Sequence, residues 1–215
     1  MERKKNLKLS KEEIFIYLIY FVGIVGHLLS PLLAYMKLLT PIALFLTGGI
    51  VLFSTLKNSN TYLLVWLIIT YITTFILEVI GVKTGLIFGS YSYGNTLGLK
   101  IFDVPLIIGF NWTMIILGVI LLSEKFFTNK ILITLSASLI ATIFDYFMEP
   151  SAIKLEYWNW TDIMIPLQNY LAWFLISFVF AALYLRLRIK IETDLPIKFF
   201  LTQFIFFLIL FGFMR

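Results

Sequence analysis

Charge is missing from this chain over stretches long enough to cross a bilayer. Residues 14–36 carry none unless His27 is protonated, and residues 38–56, 58–77, 104–122 and 163–185 carry none at all. Two further apolar runs tolerate charge: 130–150 holds Asp145 and Glu149 near its end, and 195–214 holds Lys198 near its start. About 20 apolar residues, rising 1.5 Å each, span the hydrocarbon core as a helix. The pattern therefore predicts an all-α, polytopic transmembrane bundle of about seven helices, over about 14–36, 38–56, 59–82, 104–122, 130–150, 166–187 and 195–214. The whole of 1–215 is expected to form a single integral-membrane domain. Pro41, Pro105, Pro166 and Pro196 fall at expected helix starts and Pro150 at an expected end, where the missing N–H costs least. Pro31 lies inside the first span and is expected to kink it. That span is too long for a signal peptide and lacks a small-residue cleavage site, so it is expected to be a retained helix.

Composition agrees. Apolar and aromatic residues make up 60% of the chain, charged residues only 13%, and the mean hydropathy is +0.96. A soluble domain holds about 25% charged residues, enough to wet its surface. A soluble globule, a disordered chain and a nucleic-acid-binding domain are excluded. The absence of cysteine excludes thiol chemistry and disulfides. The net charge of +5 does not indicate nucleic acid, because the basic residues flank the spans.

Those residues also orient the bundle. With the N-terminus inside, the inner side holds 12 of them: Arg3, Lys4, Lys5, Lys8, Lys11, Lys57, Lys125, Lys130, Arg186, Arg188, Lys190 and Lys198. The outer side holds five: Lys37, Lys83, Lys100, Lys154 and Arg215. A multi-pass cell-membrane protein with its N-terminus inside and its C-terminus outside is expected. Its two long connections, residues 83–103 and 151–166, then share the outer face. The first is rich in glycine and aromatics, as a hairpin folded over the bundle would be, and the second holds Tyr157-Trp-Asn-Trp160. An interfacial aromatic belt would account for these residues without further function.

Carboxylates inside spans are harder to dismiss, since each costs a few kcal/mol on insertion scales. Glu78 and Asp145 lie below the outer ends of their spans, and Glu149 falls on the same helix face as Asp145. Asp103, before Val-Pro, adds a fourth at the same depth or serves as a helix N-cap. Glu149, beside Pro150, could instead reach the interface. Two carboxyls close together in a dry site do not both ionise, so one retains a proton, as a general acid must.

Other chemistries find less support. The single histidine, His27, cannot supply a multi-histidine zinc site, and a lone histidine in a span is commonly a hydrogen-bonded packing residue. Carboxylates can hold a divalent metal, but the paired Asp-rich motifs of membrane prenyltransferases are missing, and no metal site is assigned. Phosphate-binding glycine motifs are absent. Lys198 lies at the inner edge of the last span, the wrong place for a retinal Schiff base.

Two longer patterns resemble the integral-membrane carotenoid biosynthesis proteins, of the bisanhydrobacterioruberin and γ-carotene hydratase type. One is Glu78-Val-Ile-Gly-Val-Lys-Thr-Gly-Leu-Ile-Phe-Gly-Ser-Tyr-Ser-Tyr93 with Leu97-Gly98 and Val104-Pro105-Leu106. The other is Asp145-Tyr-Phe-Met-Glu-Pro150, Tyr157-Trp-Asn-Trp160 and Ile165-Pro-Leu-Gln-Asn169-Tyr-Leu-Ala-Trp173. The resemblance covers about residues 70–185. Glu149 departs from it, since aspartate is expected before that proline.

The resemblance implies a cofactor-independent hydratase, a hydro-lyase that adds water to the terminal double bond of an acyclic carotenoid. Its partners would be a long polyene, water, the bilayer and other carotenoid-pathway membrane enzymes. Such chemistry needs a protonated acid, a carboxylate to position water, and aromatic faces beside a tertiary cation. Glu78, Asp145 and Glu149 are the candidate catalytic residues. Tyr91, Tyr93, Trp112, Trp158, Trp160 and Trp173 are candidate walls, and Asn169 a candidate water ligand. A transmembrane lycopene-cyclase-like enzyme, which closes a ring with water excluded, and a non-enzymatic carotenoid-binding protein remain as alternatives.

Overall fold

The computed structural model describes residues 9–162 and 164–214. Arg3, Lys4, Lys5, Lys8 and Arg215, which contribute to the charge bias, lie outside the described residues. Seven helices appear: α1 (Lys11–Leu28), α2 (Leu33–Lys57), α3 (Tyr62–Thr84), α4 (Leu106–Glu124), α5 (Lys130–Lys154), α6 (Leu167–Arg186) and α7 (Leu195–Phe213). Six of them, α2 to α7, are long and apolar enough to cross a membrane. The seventh, α1, opens on Lys11-Glu12-Glu13 and is fixed at its start by a capping box, in which Ser10 and Glu13 bond each other's backbone N–H. The chain is an all-α membrane bundle.

Three prolines stand elsewhere than expected. Pro31 does not kink a span; it sits in the turn between α1 and α2. A proline biases the residue before it away from the helical region, so α1 closes ahead of Ser30-Pro31. Consequently α2 begins at Leu33 and carries Pro41 in its interior. Pro150 is internal to α5, which continues to Lys154. A proline removes one backbone hydrogen bond, and α5, packed against α4, α6 and α7, tolerates that loss. Pro105 and Pro166 do precede α4 and α6, and Pro196 stands in the first turn of α7.

The centre is α4, apolar on every face and packed against α2, α3, α5, α6 and α7. Its Gly118 lets α7 approach closely: a Cβ there would meet Phe200 Cβ at 2.6 Å and the Pro196 carbonyl oxygen at 2.7 Å. Contacts at the two ends fix the alternation of the helices. At one end Glu13 pairs with Lys198, Lys125 pairs with Asp194 at 2.8 Å, and Ser59 bridges Ile191. That end holds the start of α1 and the α2–α3, α4–α5 and α6–α7 connections. At the other end Lys37 pairs with Glu156 at 2.8 Å, beneath the two long connections.

Asp103 is not a helix cap. It is exposed in a two-residue hairpin turn between β2 (Lys100–Ile101) and β3 (Val104–Pro105). Phe102 and Asp103 have φ of 52° and 67°, the left-handed pair that a type I′ turn requires. It therefore stands apart from the three carboxylates inside the helices.

Reporter fusions after Lys57, Lys100, Lys130 and Lys154 are expected to read inside, outside, inside and outside. The reversed alternation would contradict the charge bias, and any non-alternating pattern would contradict the grouping of the helix ends.

Candidate active site

The two long connections are joined to each other. Tyr91–Tyr93 (β1) pairs antiparallel with Trp158–Trp160 (β4), in the register Tyr91 to Trp160, Ser92 to Asn159 and Tyr93 to Trp158. Strand side chains alternate, so Tyr91, Tyr93, Trp158 and Trp160 share the face turned into the bundle, while Ser92 and Asn159 are exposed. Local sequence prepares this ribbon. Gly85 closes α3 in the left-handed conformation, at φ 68°, and its N–H bonds the Gly81 carbonyl at 2.8 Å. Gly94 N–H donates to the Tyr157 carbonyl at 2.9 Å, and a Cβ at Gly94 would collide with the Glu156 backbone oxygen.

Beneath the ribbon lie Glu78, Asp145 and Glu149, each 3% exposed or less. Glu78 stands six residues before the end of α3, ~9 Å along the axis. In α5, Glu149 stands ~7–8 Å and Asp145 ~13–14 Å before the last residue. Asp145 is thus the deepest of the three by this measure. Glu78 Oε2 accepts the hydroxyls of Tyr91 and Tyr93, the latter at 2.7 Å. Glu149 Oε2 accepts the indole N–H groups of Trp158 at 2.9 Å and Trp160 at 3.0 Å. The Asn169 amide, from α6, donates to Asp145 Oδ2 at 2.7 Å and to Glu149 Oε1 at 3.2 Å. One strand thus holds one carboxylate by phenols and the other strand holds a second by indoles. Burial, and then the adjacent Glu78 carboxylate, hold both phenols well above the ordinary tyrosine value, so they remain O–H donors. None of the three carboxylates is ion-paired among the described residues.

All ten sequence-derived candidates line one cavity of about 20 Å³, room for about one water. Trp173 stacks on Trp112 with ring centres 3.6 Å apart, and Phe88 also stacks on Trp173, at 5.3 Å. Phe88 completes the lining and was missed by sequence reasoning, although it stands inside the first quoted motif.

Two larger spaces adjoin this cavity through shared side chains. An apolar groove of about 220 Å³, walled by α1, α2, α4 and α7, shares Trp112 and Trp158 with it. A polar pocket of about 230 Å³, lined by Ser90, Asp162 and Gln168 among others, shares Trp160. Neither space was anticipated. The groove is built mostly from aliphatic residues that carry no motif, and the pocket from backbone turns.

Among known proteins, the family model described as "Carotenoid biosynthesis protein" matches residues 15–215. No curated protein and no solved structure matches the chain.

Glu149→Asp tests how the site is held. Shortening the side chain withdraws its oxygen from the buried indole N–H of Trp158, which costs about 1–3 kcal/mol when left unpaired, and from the half-buried N–H of Trp160. A lower denaturation midpoint and a shifted tryptophan emission are expected. Wild-type values for both would show that these bonds do not hold the ribbon.

Proposed function

The chain belongs to the carotenoid biosynthesis protein family, and from that premise we propose that it is a hydratase acting on the terminal double bond of an acyclic carotenoid. One observation carries this reading. A one-water cavity bounded by three carboxyl groups lies between an apolar groove and a polar pocket, sharing tryptophans with each. The polyene occupies the groove, water enters from the polar side, and the end group meets both at the carboxylates.

The chemistry needs one proton given and one taken back. Asp145 is the acid: it is the deepest of the three and accepts one N–H, whereas Glu78 accepts two donors and Glu149 three. Donors aimed at a carboxylate favour its charged form, so the least supplied group carries the proton. That proton passes to carbon 2 of the alkene, and the π electrons leave a tertiary cation at carbon 1. Water adds to carbon 1 and loses its extra proton to Glu149, restoring neutrality. Glu78, with Tyr91 and Tyr93, orients the water and balances the charge. The stacked rings of Trp112, Trp173 and Phe88 line the cavity, an aromatic wall from which a neighbouring cation gains.

Asp145→Asn and Glu78→Gln keep shape and remove a titratable oxygen; each is expected to lower turnover by ~10²-fold or more while the protein still inserts. Near-normal turnover in Asp145→Asn would overturn its assignment as the acid, and near-normal turnover in Glu78→Gln its role in orienting the water.

The source of oxygen tests the reaction class. Without O₂ the product should still form, in H₂¹⁸O the tertiary alcohol should carry the label, and in D₂O carbon 2 should gain deuterium. A ring without oxygen label would indicate a cyclase, unchanged polyene a binding protein, and label from O₂ an oxygenase.

A further inference from the structure

His27 belongs to no part of the mechanism above, yet it faces the apolar groove. It is 7% exposed, and its ring packs edge-on against Phe206 of α7, with centres 5.5 Å apart. Its Nδ1 lies 2.7 Å from the Gly23 carbonyl oxygen, one turn earlier in α1. A carbonyl oxygen can only accept, so Nδ1 carries the hydrogen and donates it. An imidazolium among apolar side chains would be costly, and His27 forms no ion pair among the described residues. In the neutral ring the remaining nitrogen, Nε2, is then a lone-pair acceptor. Nε2 is buried and has no hydrogen-bond partner among the described residues.

A buried acceptor without a partner is a liability unless something completes it. Tyr20, seven residues earlier on the same face, also lines the groove with an unpartnered hydroxyl, but Thr47 and Gln203 stand beside that hydroxyl. For His27 Nε2 no side-chain hydrogen-bond partner of that kind is found among the described residues. What completes it must enter through the groove and must bring a donor, which an ether or a ketone cannot.

We propose that the groove contains a hydroxyl-recognition subsite at His27, where Nε2 accepts the O–H of an alcohol carried on the polyene. The proposal rests on the reading that the groove holds a polyene. It adds that the preferred ligand is already an alcohol and that the protein distinguishes it from the bare hydrocarbon by its O–H. Such a ligand requires an earlier hydroxylating or hydrating step.

The test uses the full chain in phosphatidylcholine nanodiscs, with binding followed by quenching of tryptophan emission, since Trp112 and Trp158 line the groove. An acyclic polyene hydrocarbon, its mono-alcohol and the methyl ether of that alcohol are titrated, and each is recovered to confirm that it is unchanged. The alcohol should bind about tenfold more tightly than hydrocarbon or ether. His27→Phe should reduce the preference to about one at unchanged hydrocarbon affinity, whereas His27→Gln, which keeps an acceptor, should retain it. Equal binding of alcohol and ether by the wild-type protein would overturn the proposal, even if the variants fail to fold. So would a preference that survives in His27→Phe. A saturated long-chain alcohol that displaces the polyene alcohol at equal concentration would assign the site to a lipid hydroxyl and overturn the polyene assignment. Failure of the wild-type protein to bind the hydrocarbon at all would instead refute the occupancy of the groove.

Discussion

Hydrocarbon offers no hydrogen-bond partner, so a carboxylate inside a span must find its donors within the protein. Three such groups sit in α3 and α5 with no ion-pair partner among the described residues, and the end of the bundle is arranged around that fact. Phenols and indoles meet the demand because each combines an apolar body with one polar tip. They can fill a membrane cavity and still donate. Five donor groups, from Tyr91, Tyr93, Trp158, Trp160 and Asn169, reach the three carboxyls. Four of them come from the two-stranded ribbon, which pairs residues more than sixty positions apart in sequence.

A three-residue pairing is too short to be stable alone. Here the ribbon is held from below by its side-chain bonds to helices and from its ends by the glycines that let the chain approach. The dependence is mutual. Without the ribbon the carboxylates lack donors, and without the carboxylates the ribbon has nothing to hold its inner face. Glu149 illustrates the fit: its extra methylene over aspartate carries Oε2 to the indoles of β4 while Oε1 reaches Asn169.

Much of this was legible from sequence because both signals are local. Freedom from charge marks a span, and a carboxylate within one is conspicuous. The aromatic residues of both long connections were visible too, but an interfacial belt accounted for them without further function. Only the pairing of the two segments, a non-local event, decides which face each ring turns to. The prolines misled for a related reason. Pro41 and Pro150 break one hydrogen bond each, and packing decides whether a helix survives that loss. Asp103 before Val-Pro has the pattern of a cap, yet the neighbouring strands use it as a turn. His27 could be read as a packing residue, and its Nδ1 does bond the backbone. That its second nitrogen lies unpaired against a groove depends on α2, α4 and α7, which no pattern around residue 27 encodes.

The missing cation also bears on the proposed reaction. An enzyme accelerates a step by interactions stronger in the transition state than in the ground state. A neutral hydrocarbon end group gains little from carboxylates held by neutral donors. Once its alkene takes a proton, the tertiary carbon becomes the only positive charge in the cavity, facing carboxyl oxygens and the stacked rings of Phe88, Trp173 and Trp112. A lysine or arginine in the site would satisfy the resting carboxylates better and would repel that cation when it forms. Meeting the resting demand with phenols, indoles and an amide leaves the negative potential available for the moment of charge development. On this view the strain of burying three acids without a counter-ion is the means by which the site distinguishes the cation from the alkene.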